Sequence, residues 1–165
     1  MKLSATTHTA DETHALGRRV GALLRAGDVV VLDGELGTGK TVFAKGIAIA
    51  LGISEPVVSP TFTVVREYDA PTPLVHVDVY RLDHLQELHD LGFDDLVGSD
   101  AVTVVEWGEG KVEGLSPDRL QVHIAWAGAG PAADDHVGEE PRRVGFRPTG
   151  ARWAAVDVSS LARLA

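Results

Sequence analysis

The stretch Asp28-Val-Val-Val-Leu-Asp-Gly-Glu-Leu-Gly-Thr-Gly-Lys-Thr-Val-Phe-Ala-Lys-Gly-Ile-Ala48 decides the fold. Within it, Gly34 is followed by four residues and then by Gly39-Lys40-Thr41, which satisfies the G-x-x-x-x-G-K-[ST] pattern of a phosphate-binding loop. The flanks agree. Val29 to Leu32 is an apolar run of the kind that forms a buried parallel strand, and Val42, Ala44, Ile47, Ala48 and Leu51 recur at helical spacing. Gly34, Gly37 and Gly39 let the backbone turn successive N–H groups toward phosphate oxygens, and the helix dipole adds positive charge at the same place. Lys40 then reaches the terminal phosphates and the Thr41 hydroxyl reaches Mg2+. The alternative is a glycine-rich turn matching by chance, which average residue usage makes about a one-per-cent event in a chain of this length.

Working outward toward the N-terminus, Leu3 to Thr9 has enough β-branched residues for a short strand, and Thr9-Ala-Asp-Glu12 matches a capping box that opens a helix. Ala15, Leu16, Val20, Leu23 and Leu24 form its expected apolar face, and Ala26-Gly27 ends it. On the other side of the loop, Gly52, Pro56 and Pro60 interrupt regular structure around Ser59-Pro-Thr-Phe-Thr63. Thr63 to Asp69 and Leu74 to Tyr80 read as two strands separated by Ala-Pro-Thr-Pro, which favours an antiparallel hairpin over a crossover. A helix is expected over His84 to Val97, with Leu85, Leu88, Leu91 and Phe93 apolar.

Ala101 to Val105 is a second apolar run and ends in Glu106-Trp107. This pattern describes a buried strand that delivers a carboxylate to its C-terminal edge, where ligands of open α/β sheets bind. Arg119 to Trp126 and Arg142 to Arg147 alternate as strands. Between them Ala127 to Pro141, rich in Gly, Ala, Pro, Asp and Glu, reads as a mobile loop. A short helix is expected from about Ala155. The whole predicts a single α/β P-loop domain over residues 1–165, a mixed sheet with a parallel core and antiparallel strands, and helices on both faces.

Composition narrows the function. A chain of 165 residues is long enough to bury about two thirds of its unfolded surface without disulfides or metal. It has no cysteine, which excludes a disulfide framework, a thiol nucleophile and Cys-ligated zinc. The first twenty residues show no basic start followed by an apolar run, and no stretch has the length of a membrane span, so a cytoplasmic protein is expected. The formal charge of −9 disfavours tight direct binding to RNA or DNA, because such affinity rests mainly on Lys and Arg.

Phosphoryl transfer requires a held triphosphate, a held Mg2+ and an aligned acceptor. Glu35, Leu36, Gly37, Thr38 and Gly39 of the loop, with Lys40, Thr41 and Val42 of the helix start, form the candidate nucleotide-binding set. Thr41, Asp78 and Glu106 are the candidate metal side. Asp78 is a short carboxylate inside a strand, where a cation is a natural partner, and Glu106 matches the acid at the end of a second core strand. The structural alternatives are a salt bridge from Asp78 to Arg81 or Arg66, and an exposed strand end for Glu106. Thr61 brings a hydroxyl or carbonyl to the metal and γ-phosphate, as switch segments do, or is an ordinary turn residue. Lys40, Glu106 and Thr61 are the candidate catalytic residues. His76 reads as a core or edge histidine rather than a ligand, Trp107 as packing beside the sheet, and Arg81 as a salt-bridge or a phosphate contact. Arg152-Trp153 lies either near the adenine or in packing, with packing favoured for the tryptophan.

Gly34-Glu-Leu-Gly-Thr-Gly-Lys-Thr41, Ser59-Pro-Thr-Phe-Thr63, His76-Val-Asp-Val-Tyr-Arg-Leu82, Leu91-Gly-Phe93 and Glu106-Trp-Gly-Glu109 together closely resemble the bacterial TsaE (YjeE) family. The ordered motifs span residues 34 to 109, and the combination is specific where the loop alone is generic. The resemblance implies a compact P-loop fold that binds ATP with Mg2+ and hydrolyses it slowly alone. It also implies work with the TsaD and TsaB proteins, which install a threonylcarbamoyl group on adenosine 37 of tRNAs reading codons that begin with A. The family member supports repeated turnover by that complex without transferring the group, and tRNA is held mainly by the partners. Carried onto this chain, the resemblance places Lys40 on the phosphates and Thr41 and Asp78 at Mg2+. It places Glu106 on the metal or the attacking water, and Thr61 in the switch-like segment. One departure is Leu96-Val97, where the family usually has an aromatic pair.

Two other functions fit the loop. A small-molecule kinase requires an acceptor pocket and usually an arginine-rich lid, yet between Lys45 and Arg119 the only basic residues are Arg66, Arg81 and Lys111. A nucleotide-gated assembly factor with incidental hydrolysis requires the same loop and metal ligands as the ATPase. The residues leave those two readings side by side.

Overall fold

The structure is a computed structural model, and it describes residues 3–61, 64–82, 85–90, 92–97, 100–112, 116–128 and 140–162. Most of the loop expected at 127–141 lies outside the described residues, as do Phe62, Thr63, His84 and Leu91 and the side chains of Leu85 and Leu88.

Val29 to Asp33 form strand β2, buried along its whole length. A strand buried in this way, apolar from Val29 to Leu32, needs a neighbour on each edge and a layer on each face. β2 pairs parallel with β5 (Val102–Glu106) on one edge and with β6 (Arg119–Trp126) on the other. β4 (Leu74–Asp78) lies parallel to β5, and β3 (Val65–Tyr68) returns antiparallel to β4, which is the expected hairpin. On the opposite side β7 (Arg142–Thr149) runs antiparallel to β6, and β1 (Leu3–Thr7) antiparallel to β7. The resulting order is β1-β7-β6-β2-β5-β4-β3, a mixed sheet with a four-stranded parallel centre and antiparallel margins.

Alternation sorts the apolar side chains into two cores. Val30, Leu32, Val104 and Val122 face α1 (Ala10–Gly21) and α2 (Lys40–Ala50), where they meet Leu16, Val20, Phe43 and Ile47. Val29, Val31, Val77 and Val105 face the other way and pack with Phe93 and Val112. Each fully buried side chain of this size contributes about 1.5–3 kcal/mol relative to exposure. Leu96 and Val97 pack against this second core.

α1 begins as its capping box requires. Thr9 accepts the Glu12 N–H at 3.1 Å, while the Glu12 carboxylate reaches back to the His8 N–H at 2.6 Å, one residue beyond the usual partner. The expected apolar face is displaced: Ala15 is exposed, whereas Thr13, Gly17 and Gly21 are buried with Leu16 and Val20. The reason is the approach of α2. A methyl group on Gly17 would stand 2.2 Å from the Phe43 carbonyl oxygen, and one on Gly46 would stand 2.1 Å from the His14 carbonyl oxygen. The two helices therefore touch backbone to backbone, and glycine selects the buried face.

Two other expectations are corrected. The helix over 84–97 is divided into α3 (Leu85–Asp90) and α4 (Phe93–Leu96), with Gly92 left-handed at φ 72° between them. The C-terminal helix α5 starts four residues early, at Ala151–Ala154, and a 3-10 turn follows at Ser159–Ala162. The Arg152 N–H at its start is capped by Asp118, 34 residues away, at 3.1 Å; no local signal announces such a cap. Trp153 is packed as expected, only 1% exposed. Among the described residues no helix is long and apolar enough to cross a membrane.

Candidate functional site

The C-terminal end of β2 releases the chain into the glycine loop. Gly34 has φ 141°, and a side chain there would meet the Ile124 carbonyl oxygen at 2.0 Å, so the loop starts pressed against β6. The buried Thr38 hydroxyl donates to the Glu35 carbonyl at 2.9 Å and closes the loop from within. From outside, the Arg142 Nε donates to the Thr38 carbonyl at 3.0 Å while the guanidinium lies 5.0 Å from the centre of the Trp126 ring. Burial lowers the Arg142 pKa from its usual value. Glu35, Leu36 and Gly37 are exposed at the tip, and Val42 is half-buried behind it.

α2 starts at Lys40 with Gly39 as its N-cap, and no side chain caps it or places an acid in its first turn. Its first amides thus lack a side-chain acceptor, the arrangement that suits an external anion. The Lys40 ammonium is turned inward, donating to the Gly34 and Glu35 carbonyls at 2.8 Å each and standing 3.7 Å from the centre of the Trp107 ring. Desolvation lowers its pKa, while the carboxylates of Glu106, Asp33 and Asp78 pull in the opposite direction.

Thr41 points at the neighbouring strands. Its hydroxyl lies 3.1 Å from Glu106 Oε1 and 3.3 Å from Oε2. Glu106 pairs in register with Leu32 of β2 on one side and with Asp78 of β4 on the other. Three strand ends thereby align the loop and both acids. Glu106 is 2% exposed and Asp78 4%, so the alternative of an exposed strand end for Glu106 does not hold. Asp78 is the last residue of β4; its Oδ1 accepts the Tyr80 N–H at 2.9 Å and its Oδ2 accepts the Thr61 hydroxyl at 2.9 Å. Because Thr61 spends its proton on Asp78, Ser59 is the donor in the 2.6 Å contact between their hydroxyls. Lys40, Thr41, Thr61, Asp78 and Glu106, read separately from the sequence, thus converge.

Two residues near them were read as packing, and a third, Arg142, was read only as the start of a strand. His76 is fully buried, with Nε2 2.8 Å from Glu106 Oε1. Its signal was its position two residues before Asp78 on a strand, hence on the same face. Trp107, half-buried with φ 64°, covers Lys40 and meets Tyr80 in a tilted contact, 4.8 Å between ring centres and 53° between ring planes. Arg142 had no local signal, since its partner is 104 residues away. Arg152 is excluded from the loop end: it bonds Asp28 at 2.8 and 2.9 Å, just before β2 starts, at the opposite end of that strand.

The donor chemistry suits Mg2+ and a phosphate chain together. A hydroxyl and two carboxylates are hard oxygen ligands. Among the described residues no group of three or more His, Cys, Asp or Glu gathers to hold a metal by itself. Beside the loop lies an open cleft of about 520 Å3, lined among others by Gly34, Glu35, Tyr80, Trp107 and Lys111.

A parallel β–loop–α unit with this loop, flanked by strand-end acids, defines a P-loop NTPase-like α/β protein. The profile of the family described as "Threonylcarbamoyl adenosine biosynthesis protein TsaE" matches residues 7–130. A Streptomyces coelicolor protein named "tRNA threonylcarbamoyladenosine biosynthesis protein TsaE" is 51% identical over 152 residues, covering 89% of this chain and 97% of its own. A Bacillus subtilis protein of the same name is 39% identical over 153 residues, covering 92% and 89%. The crystal structure of Bacillus subtilis YdiB superimposes with a TM-score of 0.74 at 37% identity, over 93% of this chain and 90% of that one. The chain belongs to the TsaE family.

Proposed function

We propose that this protein is a Mg2+-dependent ATPase, weak by itself, that serves as an auxiliary subunit in tRNA threonylcarbamoyladenosine biosynthesis. In this reading it is a cytoplasmic protein that supports repeated turnover by a TsaD–TsaB complex acting on adenosine 37 of tRNAs reading codons that begin with A. It reaches tRNA through those partners, in keeping with its acidic charge. The observation that carries the reading is the convergence of Thr41, Asp78 and Glu106 at the start of α2, beside the inward-turned Lys40.

Each residue then has a task. Glu35 to Val42 wrap the phosphates with backbone N–H groups. Lys40 exchanges two carbonyl partners for phosphate oxygens, which compensate its charge better than neutral dipoles do. Thr41, Asp78 and Glu106 hold Mg2+, with Glu106 also suited to orient the attacking water, and Thr61 reports on Asp78 through their shared proton. When bound, Mg2+ supplies positive charge that offsets what develops on the phosphate oxygens.

The test is reconstitution with TsaD, TsaB, threonylcarbamoyl-adenylate and tRNA, comparing wild type with Lys40→Ala and Glu106→Ala. Multiple-turnover modification is expected to fail with either variant. Equal modification with the variants, or with the protein omitted, would overturn the reading. A nucleotide-gated assembly role predicts instead that Glu106→Ala, binding ATP and its partners, sustains turnover.

A further inference from the structure

The centre of the sheet holds a polar group that the proposed reaction leaves unused. His76 has no exposed surface, Glu106 has almost none, and Nε2 and Oε1 are 2.8 Å apart. Alternation along β4 puts Leu74, His76 and Asp78 on the α2 face. Because His76 pairs with Val104 and Asp78 with Glu106, the imidazole stands one pleat behind Asp78 and diagonal to Glu106. A carboxylate oxygen can only accept, so the proton of this contact is on Nε2. His76 Nδ1 is buried, and among the described residues it has no hydrogen-bond partner.

That orphaned nitrogen is informative. Burying it is unfavourable in a way that a phenylalanine would avoid, so packing alone does not call for histidine at this point of an otherwise apolar layer. The compensating interaction is the one made by Nε2. We infer that His76 is a positioning residue for Glu106: the imidazole pins Oε1 from within the sheet and thereby sets the plane of the carboxylate toward Thr41. The two donors on Glu106 differ in kind. Thr41 is on the helix start, and in the proposed reaction its hydroxyl is shared with the metal. His76 is anchored in β4, within the parallel centre of the sheet, and does not belong to the loop. Outer-shell hydrogen bonds of this type commonly change metal affinity or activity by about 10–100-fold when removed.

The inference rests on the nucleotide-site reading, and the experiment separates the two. Full-length wild type, His76→Phe, His76→Leu and His76→Gln are compared for thermal unfolding, for ATP affinity in EDTA and in Mg2+, and for kcat of ATP hydrolysis. His76→Phe, with His76→Leu as the smaller apolar replacement should the ring not fit, is expected to fold and to bind ATP in EDTA within about twofold of wild type. The Mg2+-dependent gain in affinity is expected to fall about tenfold, and kcat with it. His76→Gln keeps a donor near the Nε2 position and is expected to recover most of both. The inference is overturned if a folded apolar variant keeps the full Mg2+ gain, or if folded His76→Gln fails as the apolar variants do. Wild type showing no ATP binding or no Mg2+ gain would overturn the nucleotide-site reading and this inference together. A normal wild type with an equally normal His76→Phe removes this inference alone.

Discussion

Gly46→Ala is expected to separate α1 from α2 and to disturb the loop as a consequence. The added methyl would lie 2.1 Å from the His14 carbonyl oxygen, 2.9 Å from the Arg18 nitrogen and 3.0 Å from the Gly17 Cα. All three are backbone atoms of α1, so no side chain can rotate away. Restoring normal contact requires the helices to part by about 1 Å, a gap at which dispersion contacts lose roughly a quarter to a half of their strength. Alanine gains up to about 1 kcal/mol in helix propensity, whereas overpacking in a filled interior costs about 1–3 kcal/mol and occasionally more. With Leu16, Val20, Phe43 and Ile47 all buried along this crossing, the net expectation is a loss of about 2 kcal/mol. Urea unfolding measures it, with Lys45→Ala on the exposed side of α2 as the control for propensity. Gly17→Ala, whose methyl would lie 2.2 Å from the Phe43 carbonyl, should cost a similar amount. The double variant should cost clearly less than the sum, because one separation relieves both clashes. A Gly46→Ala protein as stable as wild type, or strict additivity, would refute the backbone-contact argument.

Lys40→Met is expected to abolish tight ATP binding yet raise the stability of the nucleotide-free protein, since burial lowers the Lys40 pKa. In the window between that lowered value and 10.5 the unfolded state holds a proton that the folded state has released. The Lys40 contribution should therefore be fully present above the unfolded pKa and be lost as pH falls through the folded one, at no more than about 1.4 kcal/mol per pH unit. Denaturant melts of both proteins from pH 7 to 10.5 read it as a stability difference that shifts toward wild type as pH rises. Arg152→Met should destabilise by about 3 kcal/mol, because it strands the buried Asp28 carboxylate. ATP affinity of the folded protein should stay unchanged, since this pair lies at the far end of β2; a tenfold loss by calorimetry would contradict that placement.

The sequence spoke most clearly where a local rule and a tertiary demand coincide. Val29 to Leu32 is apolar throughout because both of its faces are covered, and Thr41 follows Gly39-Lys40 because a single helix start presents all three. Glu106 was readable as a strand end and Asp78 as a carboxylate inside a strand, but their pairing in one register at the ends of β5 and β4 was not, since pairing is a property of two segments. The same applies to Arg142 on the Thr38 carbonyl and to Asp118 capping α5. His76 shows how a period-2 pattern was available and underused: its spacing from Asp78 fixed its face, while its neighbours made it look like filling. The displaced face of α1 and the division of the helix over 84–97 share one cause: Gly17, Gly21 and Gly92 break the usual equation of apolar residues with a buried helix face or of continuous helix with helical composition.

The strand order has a consequence for how the protein comes into being. β2 is held between β5 and β6, so the strand that carries the loop is not flanked on both edges until β6 has been made. Leu32 waits for Glu106 on one side and for Val122 on the other. A nascent chain ending before Trp126 therefore lacks part of the sheet that supports the loop, and no short fragment contains the site. Pairings this distant in sequence form slowly, and in the proposed reading competence for nucleotide waits for them. A ligand that binds only the finished sheet stabilises it by RT ln(1 + [L]/Kd), which would make the supply of ATP part of what keeps this chain folded.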